Sequence, residues 1–79
     1  DYQGNYDKAL DYYLQALKIF EELGNESGIA TILGNIGTIY ANQSNYPKAL
    51  EYYLKALKIN EELKKKSDIV KNLGNIGII

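Results

Sequence analysis

At an offset of 40 residues the chain matches itself without a gap, and 24 of the 39 overlapping positions are identical. Asn5-Tyr6-Asp7-Lys8-Ala9-Leu10 lies over Asn45-Tyr46-Pro47-Lys48-Ala49-Leu50, and Ala16-Leu17-Lys18-Ile19 lies over Ala56-Leu57-Lys58-Ile59. Leu33-Gly34-Asn35-Ile36-Gly37 lies over Leu73-Gly74-Asn75-Ile76-Gly77. A repeat constrains the fold more than any local propensity does. Each period is one supersecondary unit, and its apolar side is hidden only by the unit stacked beside it.

Within a period the apolar residues follow helical spacing. Tyr6, Ala9, Leu10, Tyr13, Ala16, Leu17, Phe20 and Leu23 recur at intervals of three and four, as do Ile29, Ile32, Leu33, Ile36, Ile39 and Tyr40. Asn5 and Asn45 stand where N-caps belong, Pro47 falls in a first helical turn, and Gly24 is placed to end a helix. The expectation is four helices over about 6–23, 27–42, 46–65 and 68–79. They are joined by connections of three to five residues, which makes neighbours antiparallel. The fold class is all-α, a stack of antiparallel helix hairpins forming an α-solenoid. The whole chain, 1–79, reads as one fragment of such an array that continues in both directions.

Composition removes several functions. With no cysteine and no histidine, the chain lacks disulfides, thiolate metal sites and the commonest general base. A net charge of -1 gives no pull toward nucleic acid or an anionic membrane. No apolar run approaches the roughly 18 residues of a membrane span. No Ser–His–Asp set, metal-binding motif or phosphate loop occurs. The adjacent carboxylates Glu21-Glu22 and Glu61-Glu62 do not face each other on a helix. They serve solvation and pairing with Lys18 or Lys58. Lys64-Lys65-Lys66 is the one charge run and suits a helix C-terminus. The chain is therefore read as no enzyme, with no cofactor and no metal.

The pattern of small and large residues resembles the tetratricopeptide repeat (TPR) family over nearly the whole chain. Leu33, Ile36, Gly37 and Tyr40 look like that family's helix A set, and Ala49, Tyr53 and Ala56 like its helix B set. Ala9, Tyr13 and Ala16 repeat the second set, while Leu73, Ile76 and Gly77 begin the first again. The usual TPR period is 34 residues. A 40-residue period with Glu-Glu in place of the closing proline is similar to the long-helix subgroup of kinesin light chain and LGN/Pins-like adaptors.

The resemblance implies a function and a site. Such arrays bind a protein or peptide in a concave groove lined by A helices. Here that face would carry Asn35, Thr38, Asn42, Lys71 and Asn75, along with Thr31, Gly34, Ala41, Gly74 and Ile78. Asn35 and Asn75 hold equivalent places, and an amide both donates to and accepts from a peptide backbone. The alternative is that they cap or bridge helices. Lys71 with Asn35 resembles part of a carboxylate clamp, but the remaining clamp residues are missing. Gly34, Gly37, Gly74 and Gly77 lie inside helices, each costing roughly 1 kcal/mol relative to Ala, which implies close helix approach. Tyr12 and Tyr52 are placed on a rim, available to stack between repeats. The resulting expectation is a scaffold that binds protein or peptide, not nucleic acid or membrane, in the cytoplasm. Two other roles fit the same repeat: a spacer that self-associates through its end helices, and a regulatory sensor segment of a larger signalling protein.

Overall fold

The structure, a computed structural model, describes residues 2–79, with side chains from Gly4 onward. It contains four helices, α1 (Tyr2–Leu23), α2 (Glu26–Asn42), α3 (Tyr46–Glu62) and α4 (Lys66–Gly77), and no strand among the described residues. Each helix packs on the next in chain order, and α2 against α3 is the most extensive contact. The molecule measures 38 × 30 × 17 Å. Its thin dimension holds two helix layers spaced ~8–10 Å apart, so this is a slab rather than a closed bundle.

Three turns of one design separate the helices. At the first, Gly24 is left-handed (φ 66). Its N–H donates to Glu21 O, and the Asn25 N–H donates to Phe20 O at 2.9 Å. Those two bonds are the Schellman closure of a helix. Ser44 (φ 61) and Lys64 (φ 59) occupy the same place 20 and 40 residues on. There the Asn45 N–H donates to Tyr40 O and the Lys65 N–H to Asn60 O. The residue after each turn starts the next helix. Gly28 N–H donates to the Asn25 side chain at 2.9 Å, and Lys48 N–H to that of Asn45 at 3.4 Å. Lys65, in the third such position, makes no side-chain cap.

These turns correct four expectations. Helix α3 stops at Glu62 rather than 65, because Leu63, Lys64 and Lys65 are used in reversing the chain. The lysine run therefore straddles a turn, and Lys66 begins α4 instead of ending α3. Asn5 is not a cap: α1 already includes it, and a cap forms only where the chain enters a helix from a turn. Leu23 does not face inward. It is the last residue before the turn and is 71% exposed.

The core lies between α2 and α3. Ala49, Tyr53 and Ala56 of α3 are 0%, 2% and 0% exposed, and α2 buries Ile32, Leu33, Ile36 and Gly37. Full burial of a side chain such as Ile36 contributes ~1.5–3 kcal/mol. A Cβ built on Gly37 would lie 2.8 Å from the Tyr53 ring and 3.2 Å from Ala49 O. That glycine is what lets the two helices approach. Of the other helical glycines singled out in the sequence, Gly34, Gly74 and Gly77, none acts this way. A Cβ on Gly34 would make only ordinary contact, and one on Gly74 or Gly77 would meet nothing. Tyr53, otherwise buried, places its hydroxyl 2.9 Å from Thr38 Oγ1, which itself donates to Gly34 O at 3.2 Å. On the outside of the same contact Tyr40 and Tyr52 stack with centroids 5.6 Å apart, and Lys48 and Lys55 lie over the two rings. Tyr52 thus stacks within a hairpin rather than between repeats, whereas Tyr12 stays 70% exposed.

Candidate functional site

Helix α3 packs against both α2 and α4, and a cavity of ≈ 160 Å³ opens between those two with Asn60 of α3 in its lining. Helix α2 contributes Ala30, Thr31, Gly34, Asn35 and Thr38; α4 contributes Asp68, Lys71, Asn72 and Asn75. The two helices run the same way because each is antiparallel to α3. Residues one period apart, Asn35 and Asn75, therefore face the same opening.

Of the five residues the sequence nominates, Asn35, Thr38, Lys71 and Asn75 line this trough and Asn42 does not. Asn42 is the exposed last residue of α2. Ala41, Gly74 and Ile78 also lie off the lining. Thr38 reaches the trough with its hydroxyl already engaged, since it accepts from Tyr53 and donates to Gly34 O. Asn35 and Asn75 are half-buried, and among the described residues neither caps a helix. Lys71 is exposed.

The floor of the trough is what sequence reasoning missed. Asn60 and Asn72 are each 5% exposed, the two buried polar residues of the described chain. Asn60 Nδ2 donates to Asn72 Oδ1 at 2.7 Å. In the preceding period the same positions hold Phe20 and Ile32. A third position changes with them, Gly28 becoming Asp68. The link is steric. A Cβ on Gly28 would sit 2.7 Å from the Phe20 ring, so a phenyl there demands glycine, and the smaller Asn60 frees the site for a side chain. The signal lay at Phe20/Asn60 and Ile32/Asn72, where the repeat departs from itself at inward positions. It is polar-for-apolar exchange at spots that helical spacing marks as core.

Electrostatically the lining is balanced, with one carboxylate, Asp68, and one ammonium, Lys71. The described ion pair is Lys55–Glu51 at 3.3 Å on the outer face of α3. Among the described residues neither Glu21-Glu22 nor Glu61-Glu62 pairs with Lys18 or Lys58. No group of three or more acidic, cysteine or histidine residues there could hold a metal ion. No helix is long and apolar enough to cross a membrane.

Four antiparallel helices with an open trough between the equivalent helices α2 and α4 define a helical repeat protein. A family model described as tetratricopeptide repeat matches residues 2–78, and the chain belongs to the tetratricopeptide repeat family. Repeats of this family generally mediate protein–protein interaction. Comparison with curated proteins and with solved structures returns no significant match.

Proposed function

We propose that the chain binds an extended peptide, or an extended segment of a partner protein, in the trough between α2 and α4. The observation that carries this reading is the convergence of Asn35 and Asn75, one period apart, on one polar opening. A peptide backbone offers a donor and an acceptor at every residue, and each of these amides offers the complement. Asp68 and Lys71 balance each other, so recognition is directed at backbone and polar groups rather than at net charge. The module is a scaffold of the long-helix kind, with no chemistry of its own and a cytoplasmic setting. The helix lengths favour that subgroup: α2 and α3, at 17 residues each, would fill a 34-residue period and leave nothing for turns.

The test is selection from a displayed random-peptide library. Wild type should retain peptides that Asn35→Ala/Asn75→Ala releases, with binding weaker by about tenfold or more, one or two hydrogen bonds' worth. The double variant should keep the helical circular dichroism signal. Equal retention by both proteins would remove the trough from the interaction.

A second reading, stacking of copies end to end, is favoured by a separate observation. The face of α1 that carries Ala9, Tyr13 and Ala16 is half-exposed, although Ala49, Tyr53 and Ala56 in the equivalent face of α3 are buried against α2. Likewise Leu73 and Gly77 of α4 are exposed, where Leu33 and Gly37 are buried. The two open faces are the two halves of the α2–α3 contact.

A further inference from the structure

We propose that the Asn60–Asn72 floor makes the trough selective for a carboxamide side chain, so that the bound peptide places a glutamine or asparagine over it. The inference rests on the trough being the binding site and names what that site reads. Each carboxamide has two N–H donors and an oxygen with two lone pairs. The bond between Asn60 and Asn72 uses one donor of the first and one lone pair of the second. The Asn60 oxygen, its second N–H, both N–H groups of Asn72 and one lone pair of the Asn72 oxygen are left over. Among the described residues no fully buried side-chain nitrogen or oxygen lacks a partner, so these groups are not sealed off, and both residues line the trough.

The space above the floor is kept clear. A Cβ on Gly34 would point toward Asn72 Nδ2, 4.0 Å away, and bare backbone there leaves the amide reachable from α2. The cavity of ≈ 160 Å³ is comparable with the ~150 Å³ that admits a benzene-sized guest. It has room for one side chain of amide size.

The leftover groups decide which side chain that is. A guest must accept from Asn72 and donate to Asn60, two groups on separate residues. A carboxylate has no proton to donate and meets Asp68. An ammonium has no lone pair to offer and meets Lys71. An aliphatic group would leave buried donors and an acceptor without partners, which is the costly outcome. A carboxamide carries its donor and acceptor on separate atoms and answers both. The repeat supplies the contrast within one molecule: at Phe20, Gly28 and Ile32 the equivalent positions are apolar.

The test pans a random-peptide library against three proteins: wild type, Asn72→Asp, and Asn60→Phe/Asp68→Gly/Asn72→Ile. Wild type should enrich glutamine or asparagine at one fixed position. Asn72→Asp removes donors at nearly constant size and should lower that enrichment roughly tenfold. The triple variant copies a set that already coexists in the first period, and it should favour leucine, isoleucine or phenylalanine instead. Peptides bound by wild type without amide preference, or an amide preference that survives Asn72→Asp, would overturn the floor's role and leave trough binding standing. If wild type retains no more peptide than Asn35→Ala/Asn75→Ala, trough binding fails and this selectivity fails with it.

Discussion

Gly37 and Gly74 are both glycines inside helix A positions, and helix propensity treats them alike, at roughly 1 kcal/mol below alanine. Their surroundings do not. A methyl at Gly37 would press on the Tyr53 ring at 2.8 Å and on Ala49 O, a backbone atom that cannot step aside. Overpacking of that kind costs ~1–3 kcal/mol and outweighs the propensity gain. A methyl at Gly74 meets nothing. Gly37→Ala should therefore lower the urea midpoint, and Gly74→Ala should raise it, with a gain in stability of up to about 1 kcal/mol. Two shifts of the same sign would contradict this account of the α2–α3 contact. The same contact explains Thr38. Its hydroxyl was read as a ligand group, yet it holds the buried phenol of Tyr53, and only the fold could bring residues 15 apart to 2.9 Å.

The helices are defined as much by their turns as by their apolar faces. The first turn is built from Gly24, Asn25 and Glu26: a residue without a Cβ at positive φ, a capping amide, and an acid at the positive end of α2. The third has Lys64, Lys65 and Lys66 in those places, and each is the poorer choice. Lys64 holds a left-handed conformation that costs ~1–2 kcal/mol outside glycine. Lys65 leaves the helix start uncapped, and Lys66 puts a cation near the positive end of the dipole. Lysine 65 does make one contact of its own, from Nζ to Ser27 Oγ. Grafting the first turn onto the third, Lys64→Gly/Lys65→Asn/Lys66→Glu, loses that contact and still should stabilise the chain by about 2 kcal/mol. Thermal or urea unfolding reads this directly. A less stable graft would mean that the Lys65 contact matters more than the three turn terms together.

At the scale of the whole molecule, a slab two helices thick cannot hide both sides of every helix. Side chains that are buried between α2 and α3 have counterparts on α1 and α4 that stay open. If copies stack, Tyr13 of one packs over Gly77 of the next, as Tyr53 packs over Gly37 within the chain. Such a head-to-tail contact does not close on itself and gives open chains of copies. The apparent mass in light scattering should then climb with protein concentration, and Gly77→Leu should hold it at the monomer value. A constant mass from micromolar to millimolar protein would set this second reading aside and leave peptide binding untouched.

Much of the architecture was legible because period and spacing are local properties. The 40-residue self-match with apolar residues every third or fourth position was enough for four helices, their order and their antiparallel pairing. It also placed Asn35 and Asn75 in equivalent positions. Where each helix stops was read less well, because Lys64 adopts a glycine-like φ only under the pull of the Schellman bonds across its turn. The trough floor left one trace in the sequence, the exchange of Phe20 for Asn60 and of Ile32 for Asn72, and that trace does not say that the two amides meet. Asn60 and Asn72 look like surface residues one at a time; burial makes them a pair, and burial depends on how α3 settles against its two neighbours. Repetition along the chain determined what the units are, and packing across the chain decided which of their polar groups are enclosed together, since desolvation acts on whatever the tertiary contacts bring close.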